Sequence, residues 1–250
     1  MRIVKIIFSP TGGTKRTADM LAETIPGEQI ELDLTDAKES FRSVDIRKED
    51  LTILAMPVYG GRAPVLAMER FRKLQGNGSK CILVAVYGNR DFEDTLVEMQ
   101  DAAEAGGFCV IGAVAAIAEH SVVREYAAGR PDAADRQDLH RAAEQFLRAA
   151  ENPATEITIP GNRPYTKPMS LSLVPKKTGA CTGCGTCRRS CPAEAIDDHF
   201  IADKKKCISC MRCVGICPVS ARRPSAVMVK MSAVVLKKEC SKRKKIGVYL

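Results

Sequence analysis

The sequence predicts an α/β fold for its first 150 residues and a separate, smaller cysteine-rich domain towards the C-terminus. Strand and helix patterns alternate along the first part, and its inner strands are almost continuously apolar, as strands covered on both faces are. Nine of the eleven cysteines lie between residues 181 and 240. Residues 1–165 hold 20 basic and 25 acidic side chains (net −5), and the rest hold 18 and 5 (net +13). This division indicates two domains with different functions.

Strands in the first part are identified by β-branched and apolar runs that end at Gly, Pro or Ser. They are predicted at residues 2–8, 29–34, 51–58, 80–87 and 108–118. Between them, apolar residues recur at helical spacing, and Gly or Pro marks the helix ends. These helices are predicted at residues 15–25, 63–74, 92–105 and 131–150. Five strands joined in this way predict a parallel doubly wound sheet with the strand order 2-1-3-4-5.

The chain therefore divides into four predicted segments. Residues 1–150 form the α/β domain, and residues 151–176, with five prolines, form a linker. Residues 177–230 form a small α+β domain that contains the clustered cysteines. Residues 231–250 carry a basic run and are expected to be a solvated tail, in which Cys240 is disordered. Nucleic-acid binding by this tail is the alternative, although no aromatic residues are interleaved with the basic ones.

No segment has the sequence features of a membrane span or a signal peptide. The longest apolar run, Phe108–Ala118, is about half of the roughly 20 residues that a membrane helix needs. Lys5 interrupts the apolar start of the chain, and no small-residue cleavage site follows. We therefore expect a cytoplasmic protein. In that compartment clustered cysteines favour metal or redox chemistry over disulfides.

A twelve-residue cysteine motif occurs twice, 26 residues apart. Cys181–Pro192 and Cys207–Pro218 both read C-x2-C-x2-C-x3-C-P. This spacing resembles that of bacterial ferredoxins with two [4Fe–4S] clusters, in which the fourth cysteine of each run binds the other cluster. The resemblance implies Cys181, Cys184, Cys187 and Cys217 as ligands of cluster 1, and Cys207, Cys210, Cys213 and Cys191 as ligands of cluster 2.

Two alternatives concern this repeat. Eight thiolates could instead hold two zinc ions, but zinc sites usually pair C-x2-C units across a longer loop. The two copies also differ after their prolines, where Ile196 in the first corresponds to Arg222 in the second. Ile196 is expected to shield a cluster. Arg222 could raise a cluster's potential or form a docking edge, but we expect it to face solvent.

The first strand is followed by a candidate anion-binding loop. Ser9-Pro-Thr-Gly-Gly-Thr14 supplies hydroxyls and glycines directly before a predicted helix, whose N-terminus attracts anions. The spacing is not that of a Walker A loop. A tight turn with a helix cap is the alternative interpretation.

These loops resemble those of flavodoxins. Residues 9–14 resemble the loop that binds the FMN phosphate, and residues 56–64 and 86–92 resemble the two loops that border the flavin ring. The whole chain resembles a bacterial family of flavodoxin-domain/ferredoxin-domain fusions that transfer electrons. The resemblance implies phosphate contacts from Ser9, Thr11, Gly12, Gly13 and Thr14. It implies ring contacts from Pro57, Tyr59, Gly60, Gly61, Tyr87, Gly88 and Asn89, with the two tyrosines as stacking candidates because the chain lacks Trp.

We therefore expect an electron-transfer protein that moves electrons between two [4Fe–4S] clusters and FMN, in an anaerobic or microaerobic host. No nicotinamide-binding fingerprint is present, so the donor is expected to be a protein, with an acidic surface that matches the basic second domain. One alternative is an FMN-dependent reductase of a small molecule, for which His120 is the only suggestive side chain. Another is a redox-responsive binding protein. Cys81 and Cys109 are expected to be inert packing residues.

Overall fold

The structure is a computed structural model that describes residues 1–38, 45–152, 157–169 and 172–250. The first domain contains five parallel strands, which are β1 (Arg2–Ile7), β2 (Glu28–Asp33), β3 (Leu51–Pro57), β4 (Lys80–Tyr87) and β5 (Cys109–Ile117). Its helices are α1 (Gly13–Ala22), α2 (Val65–Phe71), α3 (Thr95–Ala105) and α4 (Ala133–Glu151). The observed order β2-β1-β3-β4-β5 confirms the predicted fold.

Strand register determines where the functional loops meet. Ile7, the last residue of β1, pairs with Ala55 near the end of β3, and Pro57 at the end of β3 pairs with Val86 of β4. Tyr87 then pairs with Ile117 at the end of β5. All four strands thus end at the same edge of the sheet, where open α/β sheets bind ligands.

Apolar side chains cover both faces of this sheet, because alternate strand residues point to opposite sides. On one face, Leu21 of α1 and Phe146 of α4 are buried against Ile3 and Ile7. On the other face, Phe71 of α2 and Met99 of α3 are buried with the strand side chains that point in the opposite direction. The helices therefore lie on both faces, as the alternation of elements predicts.

The cysteine-rich region contains only short elements. They are α5 (Thr186–Arg189), α6 (Arg212–Gly215) and an antiparallel pair of strands, β6 (Lys176–Lys177) and β7 (Arg222–Arg223). The two sequence repeats share their backbone conformation. Gly183 and Gly185 have φ of 72° and 75°, and Ser209 and Met211, 26 residues later, have φ of 54° and 62°. Left-handed backbone is costly for non-glycine residues, so the second repeat keeps the loop shape at the expense of strain.

The C-terminal segment is not a solvated tail, and that prediction was wrong. Helix α7 (Ala226–Cys240) begins with Ser225 as its N-cap and extends across the boundary expected at residue 231. Strand β8 (Gly247–Tyr249) then pairs antiparallel with β5 and becomes the sixth strand of the main sheet. An edge strand offers unpaired N–H and C=O groups, and three residues of β8 occupy them. Cys240, expected to be disordered, is 4% exposed.

The described part of the proline-rich segment lies against the first domain. Both carboxylate oxygens of Asp94 accept hydrogen bonds from this segment. The donors are the backbone N–H of Asn162, at 2.7 Å, and the Thr166 hydroxyl, at 2.6 Å. The guanidinium of Arg62 lies 4.4 Å from the centre of the Tyr165 ring. These contacts hold the segment beside the carboxyl edge of the sheet.

Candidate redox centre

Four cysteines from both repeats line one small apolar cavity. Cys191 of the first repeat lies there with Cys207, Cys210 and Cys213 of the second, and Ile196 and Met211 complete part of the wall. This is the set that the resemblance to two-cluster ferredoxins assigns to cluster 2. Below, "the inner cysteine set" means these four residues, and "the outer cysteine set" means Cys181, Cys184, Cys187 and Cys217.

Burial makes the thiols of Cys210 and Cys213 difficult to ionise. It raises the pKa of Cys210 to about 12, with further contributions from Cys213, Cys191 and Cys207. Burial also raises the pKa of Cys213 to about 11, although the charge of Arg222 opposes it. Metal binding requires the negatively charged thiolate. The positive charge of a bound metal centre would therefore stabilise the thiolates that burial disfavours. Such a site suits soft metal ions that bind sulfur strongly.

The outer cysteine set contains both an exposed and a buried thiol. Cys184 is exposed and Cys187 is buried, and the Thr186 hydroxyl and backbone lower the pKa of the Cys184 thiol. Cys217 accepts a hydrogen bond from the backbone N–H of Ala221 at 3.1 Å, and Cys191 accepts the equivalent bond from Ala195 at 3.4 Å. Backbone donors to sulfur are one of the ways in which proteins tune iron–sulfur clusters.

Across the described ranges, no three His, Cys, Asp or Glu side chains converge closely enough to hold a single metal ion. In a [4Fe–4S] cluster each thiolate binds a different iron, so its ligands do not need to meet at one point.

The loop after β1 has the features of an anion site. Gly12, the residue directly before α1, has a left-handed backbone conformation with φ of 89°. The Ser9 hydroxyl caps the Lys15 N–H at 2.9 Å. Among the described residues, no hydrogen-bond acceptor pairs with the backbone N–H groups of residues 11–14. Free N–H groups at a helix N-terminus bind phosphate, so residues 9–14 form a candidate phosphate site, called the phosphate loop below.

A cleft of about 750 Å³ lies at the same edge of the sheet. Its volume is within the range of small-molecule sites. The first domain contributes both predicted ring loops to its wall, through Tyr59, Gly60, Gly61, Tyr87 and Gly88. The opposite wall comes from residues 207–209, the linker residue Met169 and the α7 side chains Met228, Met231, Val235 and Leu236.

The two tyrosines have different surroundings. Tyr87 is 7% exposed and packs against Phe92, with the ring centres 5.7 Å apart. Burial raises the pKa of the Tyr59 phenol well above its ordinary value, and the proximity of Cys210 raises it further. Tyr59 therefore connects the cleft with the inner cysteine set.

Other residues implied by the resemblance lie elsewhere. Pro57, Asn89 and the phosphate loop are absent from the described lining of the cleft. The Asn89 side chain instead donates hydrogen bonds to the carbonyl oxygens of Cys240 and Lys242, at 2.7 and 2.9 Å, and so fixes the end of α7. The Gly60 carbonyl accepts a hydrogen bond from the Met169 N–H at 3.0 Å. Gly60 thus binds the linker, and the sequence offered no signal for this contact.

Two arginines join the domains beside the inner cysteine set. Arg70 of α2 donates to the Pro192 carbonyl at 2.6 Å, and Pro192 follows Cys191. Arg212, which precedes Cys213, donates to the Pro10 carbonyl in the phosphate loop at 3.3 Å. The inner set therefore lies on the side of the cysteine-rich domain that faces the first domain.

Arg222 is buried, contrary to the expectation that it faces solvent. It is 2% exposed and donates to the carbonyl oxygens of Phe200 and Pro175, at 2.8 and 2.7 Å. The replacement of the apolar Ile196 of the first repeat by Arg222 in the second was the sequence signal that could have indicated this buried position. The two carbonyl oxygens that accept hydrogen bonds from Arg222 belong to segments that only the fold brings close to it.

The remaining candidates differ in their surroundings. His120 lines the cleft, and its Nδ1 accepts hydrogen bonds from the N–H groups of Val122 and Val123. Burial, followed by the charge of Arg90, lowers its pKa. Cys81 is buried in β4, and desolvation raises its pKa. Cys109 is exposed at the start of β5, so its expected packing role was wrong.

Comparisons with known proteins separate the two domains. Residues 174–197 and 200–223 each match the family model described as "4Fe-4S binding domain". A "Ferredoxin-like protein in nif region" of Sinorhizobium fredii is 35% identical, over 16% of this chain and 75% of the relative.

Solved structures match the other part of the chain. The flavodoxin of Streptococcus pneumonia TIGR4 is 20% identical, covers 59% of this chain and 97% of its own, and has a TM-score of 0.40. A flavodoxin from the domain Archaea is 14% identical over 61% of this chain and 100% of its own, with a TM-score of 0.43.

No helix in the described parts of the chain is long and apolar enough to cross a membrane. The sheet order, the duplicated cysteine motif and the family match lead to one assignment. The chain belongs to the 4Fe–4S binding domain family through its C-terminal region, which is joined to an N-terminal domain of flavodoxin-like fold.

Proposed function

We propose that this protein transfers electrons between two [4Fe–4S] clusters and one FMN. A single observation carries the proposal, since Cys207 lines both the cavity of the inner cysteine set and the cleft bordered by the flavin loops. A cluster bound there would lie next to a flavin in the cleft. The clusters supply one-electron exchange and FMN exchanges one or two electrons, so the pair connects the two kinds of chemistry.

Different residues would bind each of these groups. The outer and inner cysteine sets would bind cluster 1 and cluster 2, and residues 9–14 would bind the FMN phosphate. Tyr59 and Tyr87 would contact the ring, and α7 adds apolar side chains to the lining of the same cleft, of which Met231 and Val235 are 59% and 72% exposed.

The order of transfer follows from the positions of the two cysteine sets. The outer set includes the exposed Cys184, although its Cys187 is as buried as Cys210, and the inner set contributes Cys207 to the described lining of the cleft. A partner protein would therefore exchange electrons with cluster 1, and cluster 2 would connect cluster 1 with the flavin. Arg188 and Arg189 are exposed beside the outer set, so an acidic partner surface fits there.

The structure supports the other two functions less well. A reductase needs a proton donor, and His120 lines the cleft with its Nδ1 occupied by two backbone N–H groups, so it could donate only through Nε2. Burial, followed by the charge of Arg90, lowers its pKa and so disfavours the protonated imidazolium, the stronger acid. A binding protein that used a basic tail would need that segment to be free, but β8 forms part of the main sheet. A cytoplasmic location and an anaerobic host stay predictions.

Oxygen-free purification tests the proposal, with iron, sulfide and flavin counted per chain. We expect about eight irons and one FMN. Cluster reduction by a photochemical donor should be followed by bleaching of the flavin absorbance within the same chain, at a rate independent of protein concentration. Zinc in place of iron, or clusters with no flavin, would contradict the proposal. Faster turnover of quinones or nitro compounds than of protein acceptors would favour the reductase instead.

A further inference from the structure

We propose that Arg222 raises the reduction potential of the cluster held by the inner cysteine set above that of the other cluster, so that electrons collect beside the flavin. The inference rests on the proposed function, because it requires both clusters to be present.

Arg222 is a buried cation in a fixed position. Its two terminal nitrogens donate to the carbonyl oxygens of Phe200 and Pro175, which holds the guanidinium plane in place. Its Nε is buried, and within the described residues it has no hydrogen-bond partner. No ion pair found among those residues includes Arg222. A buried charge is costly without a counterion, and an anionic cluster bound by thiolates would supply one.

The guanidinium lies at the wall of the inner cavity. Its Nη2 donates to the carbonyl oxygen of Pro175, and Pro175 lines that cavity together with the four cysteines of the inner set. The positive charge would favour the reduced cluster, since reduction adds one negative charge at this position.

The first repeat has no equivalent cation. Ile196 occupies the corresponding position, is 6% exposed and lines the inner cavity. The basic residues near the outer set, Arg188 and Arg189, are exposed, so solvent and salt screen their charges. The two clusters would thus share ligand type and loop geometry but differ in nearby cations, because Arg222 lies at the inner set together with the interface residues Arg70 and Arg212.

This difference gives the transfer route a direction. An electron that arrives at the exposed outer cluster would move to the inner cluster, which has the higher potential and borders the cleft. The inner cluster would then stay reduced until the flavin accepts the electron. No atoms are transferred in this step, since cluster 1 is oxidised and cluster 2 is reduced by one electron.

The test is a potentiometric titration of the full chain with both clusters bound, followed by electron paramagnetic resonance. Arg222→Gln removes the charge and retains a polar side chain, Arg222→Lys retains the charge, and Arg223→Gln removes an exposed charge from the neighbouring residue. We expect Arg222→Gln to weaken reduction of the inner cluster at least tenfold, which is 59 mV for one electron. Arg222→Lys should recover most of this change, and Arg223→Gln should change either potential less than twofold.

The wild-type protein gives an independent result if Arg222→Gln binds less iron. Cys184→Ser should alter the spectrum of the outer cluster alone, and it therefore assigns each titration step. The step at the higher potential should be the one that Cys184→Ser leaves unchanged. Equal potentials, or a higher potential for the outer cluster, would overturn the inference while eight bound irons still supported the proposed function. Zinc, or iron for fewer than two clusters, would instead contradict that function.

Discussion

Arg70 donates a hydrogen bond from Nη2 to the carbonyl oxygen of Pro192, 2.6 Å away, and so joins helix α2 to the loop of the inner cysteine set. A second bond, from Nη1 to the Leu34 carbonyl, fixes the same guanidinium within the first domain. The contact spans the two domains at residues that are both buried. It therefore holds the cluster loop against the sheet that carries the flavin loops.

Arg70→Leu should destabilise this interface and slow electron transfer across it. The substitution leaves two buried carbonyls without donors, and each such group costs about 1–3 kcal/mol. Urea unfolding of the holoprotein should show this loss, and flavin reduction after cluster reduction should slow. Arg72→Leu is the matched control, because Arg72 is exposed one residue beyond the end of α2. Equal effects of the two substitutions would contradict the role of the contact.

Gly60→Ala tests how the linker closes the cleft. Gly60 has φ of 61°, and a Cβ there would lie 2.0 Å from the Met169 carbonyl oxygen, so the linker must move away. We expect a loss of stability of about 1–2 kcal/mol from the backbone conformation alone. FMN affinity should also fall, because Met169 lines the cleft. Gly179→Ala is the control, since nothing lies within 4 Å of its added Cβ. Unchanged flavin affinity in Gly60→Ala would separate the linker from the site.

Asp94 should make attachment of the linker depend on pH. Burial alone would raise its pKa, but hydrogen bonds from Thr166 and Asn162 lower it from 3.8 to about 2. A lowered folded-state pKa contributes stability above the unfolded value, which is lost as the pH falls from about 4 through about 2. The shift corresponds to about 2 kcal/mol at pH 7.

Asp94→Asn should therefore reduce the free energy of unfolding by about 2 kcal/mol at neutral pH, measured with urea. Between about pH 4 and pH 2 the difference from the wild-type protein should shrink, because both carboxamide and protonated carboxyl are neutral. Asp138→Asn serves as the control, as that carboxylate is partly exposed and paired with Arg141 on α4. A difference that stays constant with pH would show that charge on Asp94 is unimportant.

The sequence predicted features that depend on local pattern. Alternating strands and helices gave the sheet order, and the 26-residue repeat located the cysteines. The segment after residue 231 could not be predicted in this way, because its charge run masks Ile246 and Val248, which pack against the core of the first domain. The contact of Asn89 with the end of α7 could not be predicted from local pattern either, because its side-chain amide donates to the carbonyl oxygen of Cys240, a residue far away in the sequence. A flavin contact through the Asn89 backbone stays a prediction.

Arg222 shows the same limit in a different form. A charged residue in a short polar stretch is usually solvated, and only the fold brings Phe200 and Pro175 to its guanidinium. The loop after β1 consists of consecutive residues, so its place before α1 could be predicted from the sequence, while phosphate binding by this loop stays a prediction. Contacts between distant segments could not be predicted in the same way.

Cys191→Ser distinguishes crossed from uncrossed cluster ligation. In the structure Cys191, which belongs to the first repeat, lines the cavity with Cys207, Cys210 and Cys213 of the second repeat. Its loss should therefore impair the cluster of the second repeat and spare that of the first. We expect the iron content to fall from about eight towards about four per chain. Flavin reduction should also be lost, because the impaired cluster is the one beside the cleft.

Two further substitutions make this result decisive. Cys184→Ser should impair the outer cluster while the inner cluster still exchanges electrons with the flavin when a small reductant is supplied. Cys109→Ser removes an exposed thiol that belongs to neither set and should leave both clusters intact. If Cys191→Ser spared the inner cluster and damaged the outer one, each repeat would bind its own cluster. The inner cluster would then not use Cys191, although this residue lines the inner cavity. The proposed route from cluster 2 to the flavin would have to be revised.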